Sequence, residues 1–212
     1  MRRVTRIVGL GLGVAVLVGS VTVLADTLVL KSGRRVNGEL RGVRDGVIEF
    51  VEEGYGSRVQ QFDRRDVARI ELDDSYANPG ESLSSGTSGA RPRGLRERQV
   101  VVLSMTAWND TGVDVRNGQT VYIESKGRVR WGPKRTDGAA GERNSPTNAK
   151  RPIPNRPAAA LIGKIGAESS DYFFIGDDKG PLRMQTSGRL FLGINDDYLQ
   201  DNDGGLRVTV YY

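Results

Sequence analysis

From residue 26 onward the chain runs in short apolar stretches that alternate with polar residues and stop at Gly, Asn or Asp. Residues 28–30, 36–40, 47–51, 59–62 and 67–72 read as about five short strands, with Gly33 and other Gly- or Asp-containing turns between them. Five short strands joined by tight turns predict a small barrel over residues 26–73. Residues 74–98 are dominated by Ser, Gly, Pro and charge, which predicts a flexible linker. The β pattern returns over residues 99–212, from V-V-V-L-S through V-Y-I-E-S, A-L-I-G-K-I-G and G-R-L-F-L-G-I-N to L-R-V-T-V-Y-Y. About eight strands in such a length predict a two-sheet antiparallel sandwich of jelly-roll kind. No window carries a sustained helical period, so the expected fold class is all-β. Residues 132–157 interrupt the pattern with Pro133, Pro146, Pro152, Pro154 and Pro157 and predict an extended loop, either functional or a plain insertion.

The first 25 residues follow a different logic. Arg2, Arg3 and Arg6 precede an apolar run to Leu24, and Val23-Leu24-Ala25 has small residues where an export peptidase cuts. Residues 1–25 therefore read as a signal peptide, with an uncleaved membrane anchor as the alternative. Export would place the protein in the periplasm, on the cell surface or in the medium. The segment carries three Arg and no acid, so its removal lowers the formal charge from +5 to +2. A basic face for nucleic acid is not expected on so small an excess.

Composition narrows the chemistry. The chain of 212 residues has neither Cys nor His, which excludes disulfides, thiol nucleophiles, zinc clusters and a Ser-His-Asp triad. A bound metal would have to be a hard cation that prefers oxygen. The densest polar cluster is Asn195-Asp196-Asp197-Tyr198-Leu199-Gln200-Asp201-Asn202-Asp203-Gly204-Gly205, between two β runs. Carboxylates and amides gathered in one loop repel each other until a divalent cation relieves them, and Asp196 can meet Asp201 and Asn202 across the loop. The register of an EF-hand is absent, and a hairpin that uses Asn, Asp and Gly for turn geometry alone is the other reading. The acids gather in one loop and no pair is placed across a cleft, so the chain does not read as an enzyme.

The stretches A-W-N-D-T-G-V-D-V-R-N-G-Q-T-V-Y-I-E-S-K-G, R-W-G-P, A-L-I-G-K-I-G, F-F-I-G and S-G-R-L-F-L-G-I-N-D-D, followed by D-N-D-G-G, occur in that order over nearly all of residues 100–212. They resemble the PA-IL-like calcium-dependent galactophilic lectin family. The resemblance implies a jelly-roll sandwich with one calcium ion whose shell is completed by two hydroxyls of a sugar. It implies Asp196, Asp201 and Asn202 as side-chain ligands. It further implies backbone carbonyls near Val115 and from Leu199 or Gln200. Asp196 and Asp201 would accept hydrogen bonds from the sugar hydroxyls, and Tyr198 would face the ring or be an ordinary exposed loop aromatic. The family's His contact to the sugar has no counterpart here, so a galactose-like ligand is one candidate among carbohydrates. Trp108 and Trp131 lie beside strand runs and are expected to pack rather than to bind sugar. D-T-L-V-L-K-S-G-R-R-V-N-G-E-L and D-V-A-R-I-E-L are similar to the SH3-like or Sm-like barrels of exported bacterial proteins, which implies an accessory module. The expected function is calcium-dependent carbohydrate binding. The alternative is a structural or adhesive envelope protein, with calcium purely structural and with protein contacts or self-association as its work.

Overall fold

The structure, a computed structural model, describes residues 25–54, 58–72 and 92–212. The expected signal peptide, apart from Ala25, and the expected linker as far as residue 91 lie outside the described residues. The described chain is all-β, with strands and 3-10 turns but no α-helix. Its first five strands are β1 (Asp26–Leu30), β2 (Arg35–Arg44), β3 (Val47–Glu52), β4 (Val59–Asp63) and β5 (Val67–Glu71). Next come β6 (Glu97–Leu103), β7 (Asn109–Val115), β8 (Thr120–Lys126), β9 (Val129–Trp131) and β10 (Thr136–Asp137). The last are β11 (Leu161–Ile165), β12 (Tyr172–Phe174), β13 (Leu182–Arg183), β14 (Gly188–Ile194) and β15 (Asn202–Tyr211).

Strands β1 to β5 form an antiparallel run in the order β5-β1-β2-β3-β4. Alternation sends Leu28, Val36, Ile48, Phe50, Val67 and Ile70 to one face, where they make a core of their own. The β2–β3 turn is Asp45-Gly46, both with positive φ (49° and 77°), the pairing that a two-residue hairpin of right-handed twist requires.

The second half builds two facing layers. Strands β12-β11-β14-β7 form one sheet, and β10-β9-β15-β6 lie in the other, where β8 also pairs with β15 and β13 with β8. Between the layers lies a core that includes Val113, Ile123, Leu161, Leu190, Leu192, Leu206 and Val208, all almost fully buried. The 132–157 stretch has no strand beyond the two-residue β10.

Strand β6 joins the two halves. Val100 and Val102 point into the sandwich core, while Val101 and Leu103 point the other way and belong to the core of β1 to β5. A run of four apolar residues is what a strand buried on both faces needs. On one side β6 pairs with β15 from Glu97↔Tyr211 to Leu103↔Gly205, and on the other it touches β5 at Glu71↔Val100. The strand begins at Glu97, two residues before the boundary at 99 that the sequence suggests.

The seam is polar where β5 ends. Glu71 accepts hydrogen bonds from Arg69 (2.6 Å) and Arg35 (2.7 Å) and lies 3.2 Å from Arg98 of β6. Arg69 also reaches Asp110 of β7 at 3.2 Å, where Arg189 of β14 meets the same carboxylate. At the far end of the seam, the Asp45 N–H donates to Asp203 Oδ1 (3.0 Å), and Arg64 donates to the Met105 carbonyl.

Candidate functional site

The segment between β14 and β15 is held from behind by Asn195. Its side chain is fully buried, accepts the Ile153 N–H at 2.9 Å, and donates to the carbonyls of Ile153, Pro157 and Arg156 at 3.0, 3.0 and 3.3 Å. Its backbone N–H and C=O pair with Ala160 and Ala159. The long proline-rich stretch is thus strapped to the residue that precedes Asp196. A further tie runs from Asn148 Nδ2 to Asp197 Oδ1 at 3.1 Å.

Asp196 itself is 9% exposed. Its Oδ1 accepts the Asp197 N–H at 2.9 Å, whereas its Oδ2 is buried without a partner. Leu199–Asp201 form a single 3-10 turn that closes when the Asn202 N–H donates to the Leu199 carbonyl. That turn carries Asp201, whose Oδ1 is likewise buried and unpartnered. Asn202 is the first residue of β15 and is 2% exposed; its Nδ2 donates to the Ser104 carbonyl at 3.1 Å. With the nitrogen so engaged, Asn202 Oδ1 is the third buried oxygen without a hydrogen-bond partner.

The three groups act on one another. Burial pushes the Asp196 carboxyl above its ordinary range; Asn202 and the Asp197 N–H draw it partly back, and the charges of Asp197 and Asp201 push it up again. No group of three His, Cys, Asp or Glu side chains converges for a metal among the described residues. The convergence here is of two carboxylates and one amide. Each orphaned buried oxygen costs about 1–3 kcal/mol, more for a charged one, so three in one place call for a counter-charge. Two carboxylates and an amide oxygen are the hard donors that calcium takes.

Asp196 and Asp201, though not Asn202, line an open cleft of ≈ 390 Å³ together with Trp131, Gly132, Pro133, Arg135, Asp197 and Tyr198. Trp131 arrives through the pairing of β9 with β15, in which it stands opposite Asn202. Its ring is buried in the sandwich core, as a packing tryptophan should be, and its Nε1 donates to Asp137 at 2.8 Å. Gly132 follows with φ 146°, and a Cβ built there would stand 3.7 Å from Asp201 Oδ2. Tyr198 is 59% exposed at the lip.

Asp196, Asp201, Asn202, Leu199 and Tyr198 therefore lie together. Val115 does not. It pairs with Gly188 at the start of β14, whereas Asp196 lies beyond the other end of that strand. A strand of that length spans about 20 Å at roughly 3.3 Å per residue, too far for a shared ligand. The backbone beside Asp201 is the Trp131–Gly132 bend. Residues 130–133 were already visible as R-W-G-P, but what sets them against the acidic loop is a strand pairing across some seventy residues. The Val115 end holds a larger cavity of ≈ 530 Å³, but Ile165, Phe173, Leu182 and Met184 line it with a single carboxylate, Asp171. It offers no metal chemistry. Asn195 stood in the polar cluster without its anchoring role being visible, and Asn148 went unnoticed as one polar residue among many.

No protein-family model and no curated protein sequence matches the chain. Among solved structures, one described as the EclA N-terminal domain, a PllA-like lectin, aligns with 53% of this chain and 93% of its own length, at 23% identity and a TM-score of 0.43.

Proposed function

We propose that Asp196, Asp201 and Asn202 hold a calcium ion and that the protein binds a carbohydrate through it. The observation that carries this is three buried, unpartnered oxygens within one short segment, on Asp196, Asp201 and Asn202, with the two carboxylate residues lining an open cleft. Ser104 and Asn195 fix two of the donor residues from behind, so the site is organised before any ion arrives. Backbone from the Leu199–Asp201 turn and the Trp131–Gly132 bend lies nearest to complete the shell. An ion in an open cleft keeps positions for water, which a pair of sugar hydroxyls can replace. Asp196 and Asp201 would then accept hydrogen bonds from the same hydroxyls, and Tyr198 would flank the ring. Export, expected from residues 1–25, would bring the protein to compartments where glycans are presented.

The test is a melting series on the whole chain with calcium, with excess chelator, and with calcium plus a panel of sugars. Calcium should raise Tm, and one class of sugar should raise it again, since a ligand that binds only the folded state stabilises it by mass action. A rise with calcium alone would make the ion structural and favour a protein-binding or adhesive role. No response to calcium would overturn the proposal.

A further inference from the structure

We infer that the cleft selects an acidic saccharide, a hexuronate, and that Arg135 receives its carboxylate. The inference rests on the calcium reading of the loop. That reading stands on the buried, unpartnered oxygens of Asp196 and Asn202, each more than nine-tenths buried, and of Asp201 beside them.

Arg135 is exposed and lines the cleft together with Asp196, Asp197 and Asp201. Even so, it forms no ion pair with any of them; its guanidinium lies over the Trp131 ring instead, 4.8 Å from the centroid. That ring cannot move, being buried and anchored through Nε1 to Asp137. The backbone is closed as well: the Trp131 N–H donates to the Arg135 carbonyl (3.1 Å), and the Arg135 N–H donates to the Gly132 carbonyl (3.3 Å). The cation therefore stands at the mouth, stacked on the Trp131 ring, with its donor edges unspent.

Glycine at 132 keeps the intervening space open. The Arg135 Cδ and Asp201 Oδ2 each lie 3.7 Å from the point where a Cβ would stand, so they are separated by no more than twice that distance. Both groups are thus within reach of a single sugar-sized ligand. Once a cation neutralises Asp196 and Asp201, the charges left at the cleft are Asp197, which accepts from Asn148, and Arg135. A neutral sugar offers the guanidinium only single hydroxyl acceptors, weaker than a charge-assisted pair. A hexuronate carries hydroxyls for the ion and, on the same ring, a carboxylate that matches the planar fork of arginine.

The experiment is calorimetric titration of the whole chain, in calcium, with methyl galacturonoside and methyl glucuronoside, with their methyl esters, and with methyl galactoside. At least one uronate should bind about tenfold more tightly than its ester, as a charge-assisted bidentate pair warrants. Arg135→Gln should erase that advantage, bringing acid and ester to equal affinity, and Arg135→Lys should restore only part of it. Equal binding of acid and ester, or a preference that survives Arg135→Gln, would overturn the inference. Calcium-dependent binding of neutral sugars without acid preference would defeat this inference alone. Absence of any calcium response in melting would defeat the underlying site as well.

Discussion

Asp196 is the residue at which stability and the proposed calcium binding pull apart. Its Oδ2 is buried without a partner, and its carboxyl is raised above the usual range by that burial. A residue kept only for the fold would not be left so. Asp196→Asn removes the desolvated charge while keeping the shape, so without calcium the variant should be as stable as the parent or about 1 kcal/mol more stable. Its calcium-induced rise in Tm should disappear. Urea titrations with chelator and with calcium check both halves, and a variant that is less stable without calcium yet still responds to it would remove Asp196 from the ligand set. Tyr198, by contrast, is exposed and unanchored, and only binding data can give it a role.

Among the elements, β5 and its terminal Glu71 show how charge closes the seam between the two cores. Burial alone would raise the Glu71 pKa, but the hydrogen bonds from Arg69 and Arg35 and the charges of Arg69 and Arg98 outweigh it and hold the carboxyl below its usual 4.5. A carboxylate with a depressed folded pKa contributes stability that is present above the unfolded value and lost as pH falls through the folded one. The parent should therefore lose stability below about pH 4.5, and Glu71→Gln should be less stable at neutral pH by about 1–2 kcal/mol but lack that part of the acid loss. Denaturation midpoints of both proteins along a pH series measure it; parallel curves would show that Glu71 does not titrate this way. Alternation made most strands readable, because a half-buried strand writes its burial into every second residue. The beginning of β15 was not readable: N-D-G-G has turn composition, yet Asn202 and Asp203 pair with Trp131 and Arg130. For the same reason the site was legible in its side chains, which share one loop, but not in its backbone neighbours. Which strand comes to lie beside Asp201 depends on a distant pairing that local composition does not encode, and the Val115 expectation failed there.

At the scale of the molecule, β6 makes the two cores one unit in spite of their separate composition. Val101 and Leu103 complete the core of β1 to β5, while Val100 and Val102, one residue away on the same strand, complete the sandwich. Removing either half would expose one face of β6, at about 1.5–3 kcal/mol for each large side chain returned to water. The Asp45–Asp203 and Arg64–Met105 hydrogen bonds add a second attachment close to the candidate metal loop, since Asp203 follows Asn202 directly. The halves should therefore unfold together. Both tryptophans, Trp108 and Trp131, belong to the second half, so their fluorescence follows the sandwich alone, while far-ultraviolet circular dichroism follows all the strands. In a urea titration of the whole chain the two signals should trace one coincident transition, and calcium should move both by the same amount although its proposed site lies in only one half. A circular-dichroism change that precedes the fluorescence change and ignores calcium would mean that the β1 to β5 core melts by itself and that the shared strand does not couple the halves. A fragment beginning at residue 92 would expose Val101 and Leu103, and its midpoint should fall below that of the whole chain under the same conditions.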